Sequence, residues 1–102
     1  MKKINIDNSK YTIDTTTKFN KQLKKIVKQG HDIEKIINVV EKLANGEVLE
    51  PKYKNHQLIN DKKYKNCMEC HIEPDWLLIY QIHGNELILL LFATGSHSEL
   101  FE

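Results

Sequence analysis

No arginine occurs in this chain of 102 residues, so all 15 of its cationic side chains are lysines. That excludes the planar, bidentate clamp that guanidinium groups place on phosphate. Any phosphate contact must come from lysine point charges, backbone amides or histidine. Cysteine is scarce as well, with only Cys67 and Cys70. The Lys2-Lys3 start runs into polar residues instead of an apolar leader core, so free thiols in a reducing cytoplasm are expected. The longest apolar run, Leu87 to Ala93, is far too short to cross a bilayer, and no membrane association is expected. Repeats, low-complexity tracts and linkers are lacking too. One small domain over residues 1–102 follows, with residues 1–10, polar around Asp7-Asn8-Ser9, as a loose arm.

What is present is unevenly distributed. The formal net charge is +1. Residues 1–30 carry eight lysines against Asp7 and Asp14, and residues 52–65 carry five against Asp61 alone. Residues 66–102 hold six acids and no lysine. A fold that gathers the two basic segments would show a cationic face despite its near-neutral total.

Periodicity orders the elements. Tyr11 to Thr15, rich in β-branched residues, reads as a first strand. Phe19, Leu23, Ile26 and Val27 then recur at helical spacing, with Thr15 to Thr17 as N-cap candidates and Gly30 as a stop. A second helix begins at an Asp32 cap, carries Ile33, Ile36, Ile37, Val40, Leu43 and Ala44 on one stripe, and ends at Asn45-Gly46. A connection of about two residues implies an antiparallel helical hairpin. Strands follow at His56 to Ile59, Asn66 to Glu73, Asp75 or Trp76 to His83, and Leu87 to Thr94. Gly84-Asn85 suits a two-residue type II′ hairpin turn, and the all-apolar last strand suits the middle of a sheet. The expected class is α+β: two N-terminal antiparallel helices packed on a twisted, mainly antiparallel sheet of four to five strands.

Cys67-Met68-Glu69-Cys70-His71 matches the C-x-x-C-H pattern of covalent haem attachment. Strand geometry opposes that use. Side chains alternate faces, so two cysteines three apart point to opposite sides and cannot share a haem, a zinc ion or a disulfide. Met68, Cys70 and Ile72 become a core row, and Glu69, His71 and Glu73 fall on the other face. The Glu73-Pro74-Asp75-Trp76 turn, preset by Pro74, brings Asp75 to the end of that strand. His56, His71 and His97 come from three elements that a small antiparallel sheet could gather, whereas His31 and His83 read as surface residues. Imidazoles, a carboxylate, aromatic rings and a lysine-lined approach are what metal-free cleavage of RNA would need.

The blocks His71-Ile72-Glu73-Pro74-Asp75-Trp76-Leu77-Leu78-Ile79-Tyr80 and Thr94-Gly95-Ser96-His97-Ser98-Glu99-Leu100-Phe101, with His56 upstream, resemble the YafQ branch of the RelE/ParE superfamily, toxins of bacterial type II toxin–antitoxin systems. The resemblance spans about residues 11–102. It implies a ribosome-dependent mRNA endoribonuclease without metal or cofactor, acting on mRNA in the 70S ribosome. It also implies a cognate antitoxin, a neutralised heterotetramer, and no DNA binding by this chain alone. His56, His71, Asp75, Trp76, His97 and Phe101 match the motif positions.

Under that resemblance His97 would be the general acid, and His71 and Asp75 the base or base-orienting pair. His56, with Lys52 and Lys54, would bind phosphate, while Trp76 and Phe101 would stack on or shape the pocket for a base. Many superfamily members place arginines around the scissile phosphate. Here Lys62, Lys63 and Lys65 are left as approach charges. The rival reading is a ParE-like toxin that binds gyrase and cleaves nothing, and it would have no need of the histidine and acid set.

Overall fold

The computed structural model describes residues 9–101. The elements run β1 (Thr12–Thr15), α1 (Thr17–Lys28), α2 (Ile33–Ala44), a short 3₁₀ turn (Pro51–Tyr53), β2 (His56–Gln57), β3 (Met68–Glu73), β4 (Trp76–His83), β5 (Ile88–Gly95) and α3 (His97–Phe101). The five strands lie in the order β1-β5-β4-β3-β2. Pairing is antiparallel except between β1 and β5, which run parallel and are connected through both helices and then β2, β3 and β4. Of the expected N-terminal arm, residues 1–8 lie outside the described residues.

Both long helices form where their caps and stripes place them. Thr16 caps α1 by accepting the Phe19 N–H at 2.9 Å, and its hydroxyl donates to the Phe92 carbonyl at 2.7 Å, pinning the helix start to β5. Asp32 caps α2 through the Glu34 N–H, and a cap of this kind contributes about 1 kcal/mol. Phe19, Leu23 and Ile26 are buried, but Val27 is 43% exposed, turned past the edge of the stripe. On α2 the fully buried set includes Val39, which the expected stripe missed. The connection is residues 29–32, longer than the two residues expected, because Gln29 and Gly30 close the end of α1 before Asp32 can cap α2.

The sheet separates two apolar clusters. On one face the helices cover Cys70, Ile72, Trp76, Leu78, Tyr80, Leu89 and Leu91. On the other, Tyr64, Cys67, Leu77, Ile79, Ala93 and Leu100 form a smaller cluster under the loop between β2 and β3 and under α3. Cys67 and Cys70 therefore do fall on opposite sides, both free and buried. Burial pushes the Cys70 thiol up to about 12.

Several local expectations are corrected. Register shifts between His71 and Glu73, so Glu73 leaves the His71 face and turns to the helices, where Lys35 and His31 hold it at 2.6 and 3.1 Å. A second shift makes Phe92 an extra residue between Leu91, paired with Tyr80, and Ala93, paired with Ile79. β2 shrinks to two residues. The turn after His83 closes with a Glu86 N–H bond to the His83 carbonyl. Yet the left-handed residue is Leu87, not Gly84, so it is not a type II′ hairpin. The C-terminal tail folds as α3, and its Leu100 is fully buried.

Candidate active site

Register builds the site. His56 sits directly across from Glu69 in the β2–β3 pair, and His71 follows Glu69 by two residues on the same strand face. Both imidazoles consequently flank one carboxylate: the Nε2 atoms of His56 and His71 lie 3.4 and 3.5 Å from Glu69 Oε1. The Glu69 side chain is only 5% exposed. Each Nδ1 faces a backbone carbonyl, that of Lys54 at 2.8 Å for His56 and that of Pro74 at 3.3 Å for His71. A carbonyl only accepts, so Nδ1–H donates in both rings and Nε2 is the position left for proton exchange. Glu69 was missing from the sequence-derived set. The signal was available, since a strand carrying His71 on one face must carry Glu69 on it too.

His97 arrives from the other side of the sheet's end. Gly95 turns the chain out of β5 at φ 157°, and a Cβ there would meet the Glu99 carboxylate at 3.2 Å. Ser96 and Glu99 then form a reciprocal capping box. The Ser96 hydroxyl accepts the Glu99 N–H at 3.2 Å, and Glu99 Oε1 accepts the Ser96 N–H at 2.9 Å. Glu99 Oε2 also pairs with Lys25 of α1 at 2.8 Å. Lys25, and then the Ser96 N–H, hold the Glu99 carboxyl down at about 2. The S-x-x-E spacing was the sequence signal for this helix.

The His97 ring centroid lies 6.0 Å from that of His71 and 5.7 Å from that of Phe101. Asp75 Oδ1 accepts the His97 backbone N–H at 3.0 Å, while His97 Nδ1 stands 3.6 Å from the same oxygen, beyond a good hydrogen bond. Asp75 thus fixes the first residue of α3 and shapes the field at the ring. His97 is 58% exposed and His71 16%, so one imidazole is open to a substrate and the other is seated in the strand surface.

The remaining expected residues divide. Trp76 is 2% exposed and donates its Nε1–H to Thr94 Oγ1 at 3.0 Å, so no face is free for a base. It borders a hollow with Asp75 and Gly95, shaping it from within the core. Phe101, 37% exposed beside His97, is the ring left for stacking. Lys52 and Lys54 line a cleft of about 440 Å³ that His71 also lines. Lys63 reaches the Leu100 carbonyl at 3.0 Å, whereas Lys62 borders a separate hollow around Gln57 and Ile59 that holds none of the histidines. His31 is not a free surface residue: it is half-buried, tilted against Trp76 at 5.1 Å and bonded to Glu73. His83 is exposed, as expected, and contacts Gln81.

Residues 11–102 match the family model described as the bacterial toxin of a type II toxin–antitoxin system, YafQ. The mRNA interferase toxin YafQ of Escherichia coli strain B / BL21-DE3 is 32% identical over 90 residues, covering 87% of this chain and 94% of that protein. A crystal structure of a metal-bound toxin from Helicobacter pylori is 48% identical with a TM-score of 0.83, covering 89% of this chain and 99% of the other. The toxin in the E. coli DinJ–YafQ complex is 31% identical with a TM-score of 0.80, covering 90% and 99%. Among the described residues, no group of three or more His, Cys, Asp or Glu is placed to hold a metal ion.

Proposed function

The chain belongs to the YafQ family of toxins of bacterial type II toxin–antitoxin systems, and from that premise we infer that it is the toxin of such a system and an mRNA interferase, an endoribonuclease. Its curated relatives bear that name. A gyrase-binding role has no observation in its favour. The whole chain is read as one toxin domain.

The observation that carries the chemistry is the pair of imidazoles 6.0 Å apart, one backed by a buried carboxylate and one on a capped helix beside an exposed phenyl ring. With a phosphodiester between them, His71 Nε2 takes the proton from the ribose 2′-OH. The 2′ oxygen attacks phosphorus, and His97 protonates the departing 5′ oxygen. The products are a 2′,3′-cyclic phosphate and a 5′-hydroxyl. Glu69 offsets the positive charge that His71 gains on taking that proton, while Asp75 positions His97. His56, Lys52 and Lys54 answer the charge that develops on the phosphoryl oxygens, standing in for arginine. Phe101 stacks on a base next to the cleaved bond.

The partners of this reading are an antitoxin, as in the DinJ–YafQ complex of the E. coli relative, and mRNA in the 70S ribosome. A heterotetrameric neutralised complex and no DNA binding by the toxin alone complete it. The test is incubation of the antitoxin-free protein with ribosomes carrying a defined mRNA, in parallel with His97→Ala. Cleavage by wild type that leaves cyclic phosphate ends, reduced about 100- to 10,000-fold in the variant, is the expected result. A folded wild-type protein that leaves the message intact would overturn the reading.

A further inference from the structure

We propose that Lys18 and Lys63 form a second phosphate subsite, which holds a phosphodiester of single-stranded RNA away from the scissile bond. The proposal rests on the nuclease reading and extends it to a residue, Lys18, that no motif marks.

The two lysines come from distant parts of the chain, Lys18 from the first turn of α1 and Lys63 from the loop between β2 and β3. Both ammonium nitrogens nonetheless lie 5.4 Å from the centroid of the Tyr64 ring. Tyr64 is fully buried, with its hydroxyl donating to the Leu100 carbonyl at 2.8 Å, so the ring is a fixed platform that both cations meet. Bringing like charges together costs free energy, and the Lys18 ammonium is lowered from its ordinary range by burial and then by Lys63.

Among the described residues, the nearby acids have partners of their own. Asp61 Oδ1 accepts the backbone N–H groups of Lys63 and Tyr64, each at 2.9 Å. Glu99 holds Lys25. Among the ion pairs of the described residues, none involves Lys18 or Lys63. Lys63 spends one donor on the Leu100 carbonyl, and an ammonium has three. An anion between the two nitrogens would relieve their repulsion.

Position selects the anion. Tyr64 stands 5.4 Å from Phe101, Phe101 5.7 Å from His97, and His97 6.0 Å from His71. The lysine pair therefore closes one end of a row that runs through the proton-transfer residues to Lys52 and Lys54 at the other. Cations at both ends with rings between them match a bound single strand, whose phosphates and bases need both. An acidic segment of a protein partner would satisfy the charge but not the continuity with the histidines.

The experiment measures binding of a short single-stranded oligoribonucleotide, 2′-O-methylated so that it cannot be cleaved, to wild type, Lys18→Gln, Lys63→Gln and the control Lys28→Gln. Each oligonucleotide phosphate is replaced in turn by an uncharged methylphosphonate. Lys18→Gln and Lys63→Gln should each weaken binding about three- to tenfold and flatten the salt dependence by about 0.7 of a log unit per decade. One methylphosphonate away from the scissile position should reproduce the loss in wild type and add nothing in Lys18→Gln. Lys18→Gln decides the matter, since Lys63 also braces Leu100. An equal loss in Lys28→Gln, no sensitive phosphate, no binding by wild type, or weakened antitoxin binding with RNA binding unchanged would each overturn the subsite. Ribosomal cleavage run alongside separates the two readings: wild-type cleavage with unaffected Lys18→Gln sinks the subsite alone, and no wild-type cleavage sinks the nuclease.

Discussion

Glu99 Oε2 lies 2.8 Å from the Lys25 ammonium, so the helix that carries His97 is moored to α1 across the end of the sheet. The same carboxylate closes the capping box with Ser96. A five-residue helix has too few internal hydrogen bonds to persist alone, and these outside ties hold its first turn in place. The geometry proposed for His97 therefore depends on Glu99, which is tied to Lys25 and Ser96.

Glu99→Gln should lower the cleavage rate while leaving the fold intact, by loosening the turn that aims His97. The acid dependence of stability should change as well. The Glu99 carboxyl is held at about 2 in the folded chain against 4.5 when unperturbed, so its stabilisation is full above about pH 4.5 and is lost as pH falls toward 2. Thermal melts from pH 6 to about 2 should fall less steeply in the variant than in wild type. Parallel curves would refute this account.

Glu69→Gln keeps the shape of a buried side chain and removes its charge. Cleavage should drop by at least about tenfold, with little change in antitoxin binding. Ring nitrogen NMR should show that His56 and His71 lose their shared environment while His97 is unchanged. Disturbance of all three rings would point to general unfolding instead.

Trp76 and Phe101 should separate in opposite directions. Trp76→Phe removes the bond to Thr94 and leaves a gap in the core, which should cost about 1–3 kcal/mol of stability. Its specific cleavage rate at low temperature should stay near wild type. Phe101→Leu, at an exposed position, should hardly move the melting temperature but should impair cleavage. Chemical denaturation together with the ribosomal assay distinguishes them.

Cys67 and Cys70 should resist thiol reagents in the native protein and react together on unfolding. Both are buried, and burial raises both thiols above their ordinary range. They lie on opposite faces of the sheet, so mild oxidation should yield no intramolecular bridge. Rapid labelling of folded protein, followed by mass spectrometry, would contradict the placement.

The chain's own pattern was enough for the two capped helices, the run of elements along the chain and the opposed cysteines. Each rests on short-range chemistry: a cap satisfies the next turn's N–H groups, an apolar stripe repeats at helical spacing, and strand side chains alternate. The S-x-x-E box of α3 was an equally local signal, and the expected elements left it out.

Tertiary structure alone decided the rest. Extra residues at two strand pairings turned Glu73 toward the helices and set Phe92 out of step, and no local periodicity announces where a partner strand will slip. Cross-strand register put Glu69 between two histidines. Burial withdrew Trp76 from any substrate, and the packing of α1 against a distant loop brought Lys18 to Lys63. Sequence by itself determined which residues could serve acid–base chemistry and on which elements they ride. Which of them meet depends on contacts between segments far apart in the chain, and those exist only once the sheet has closed and its two faces are covered.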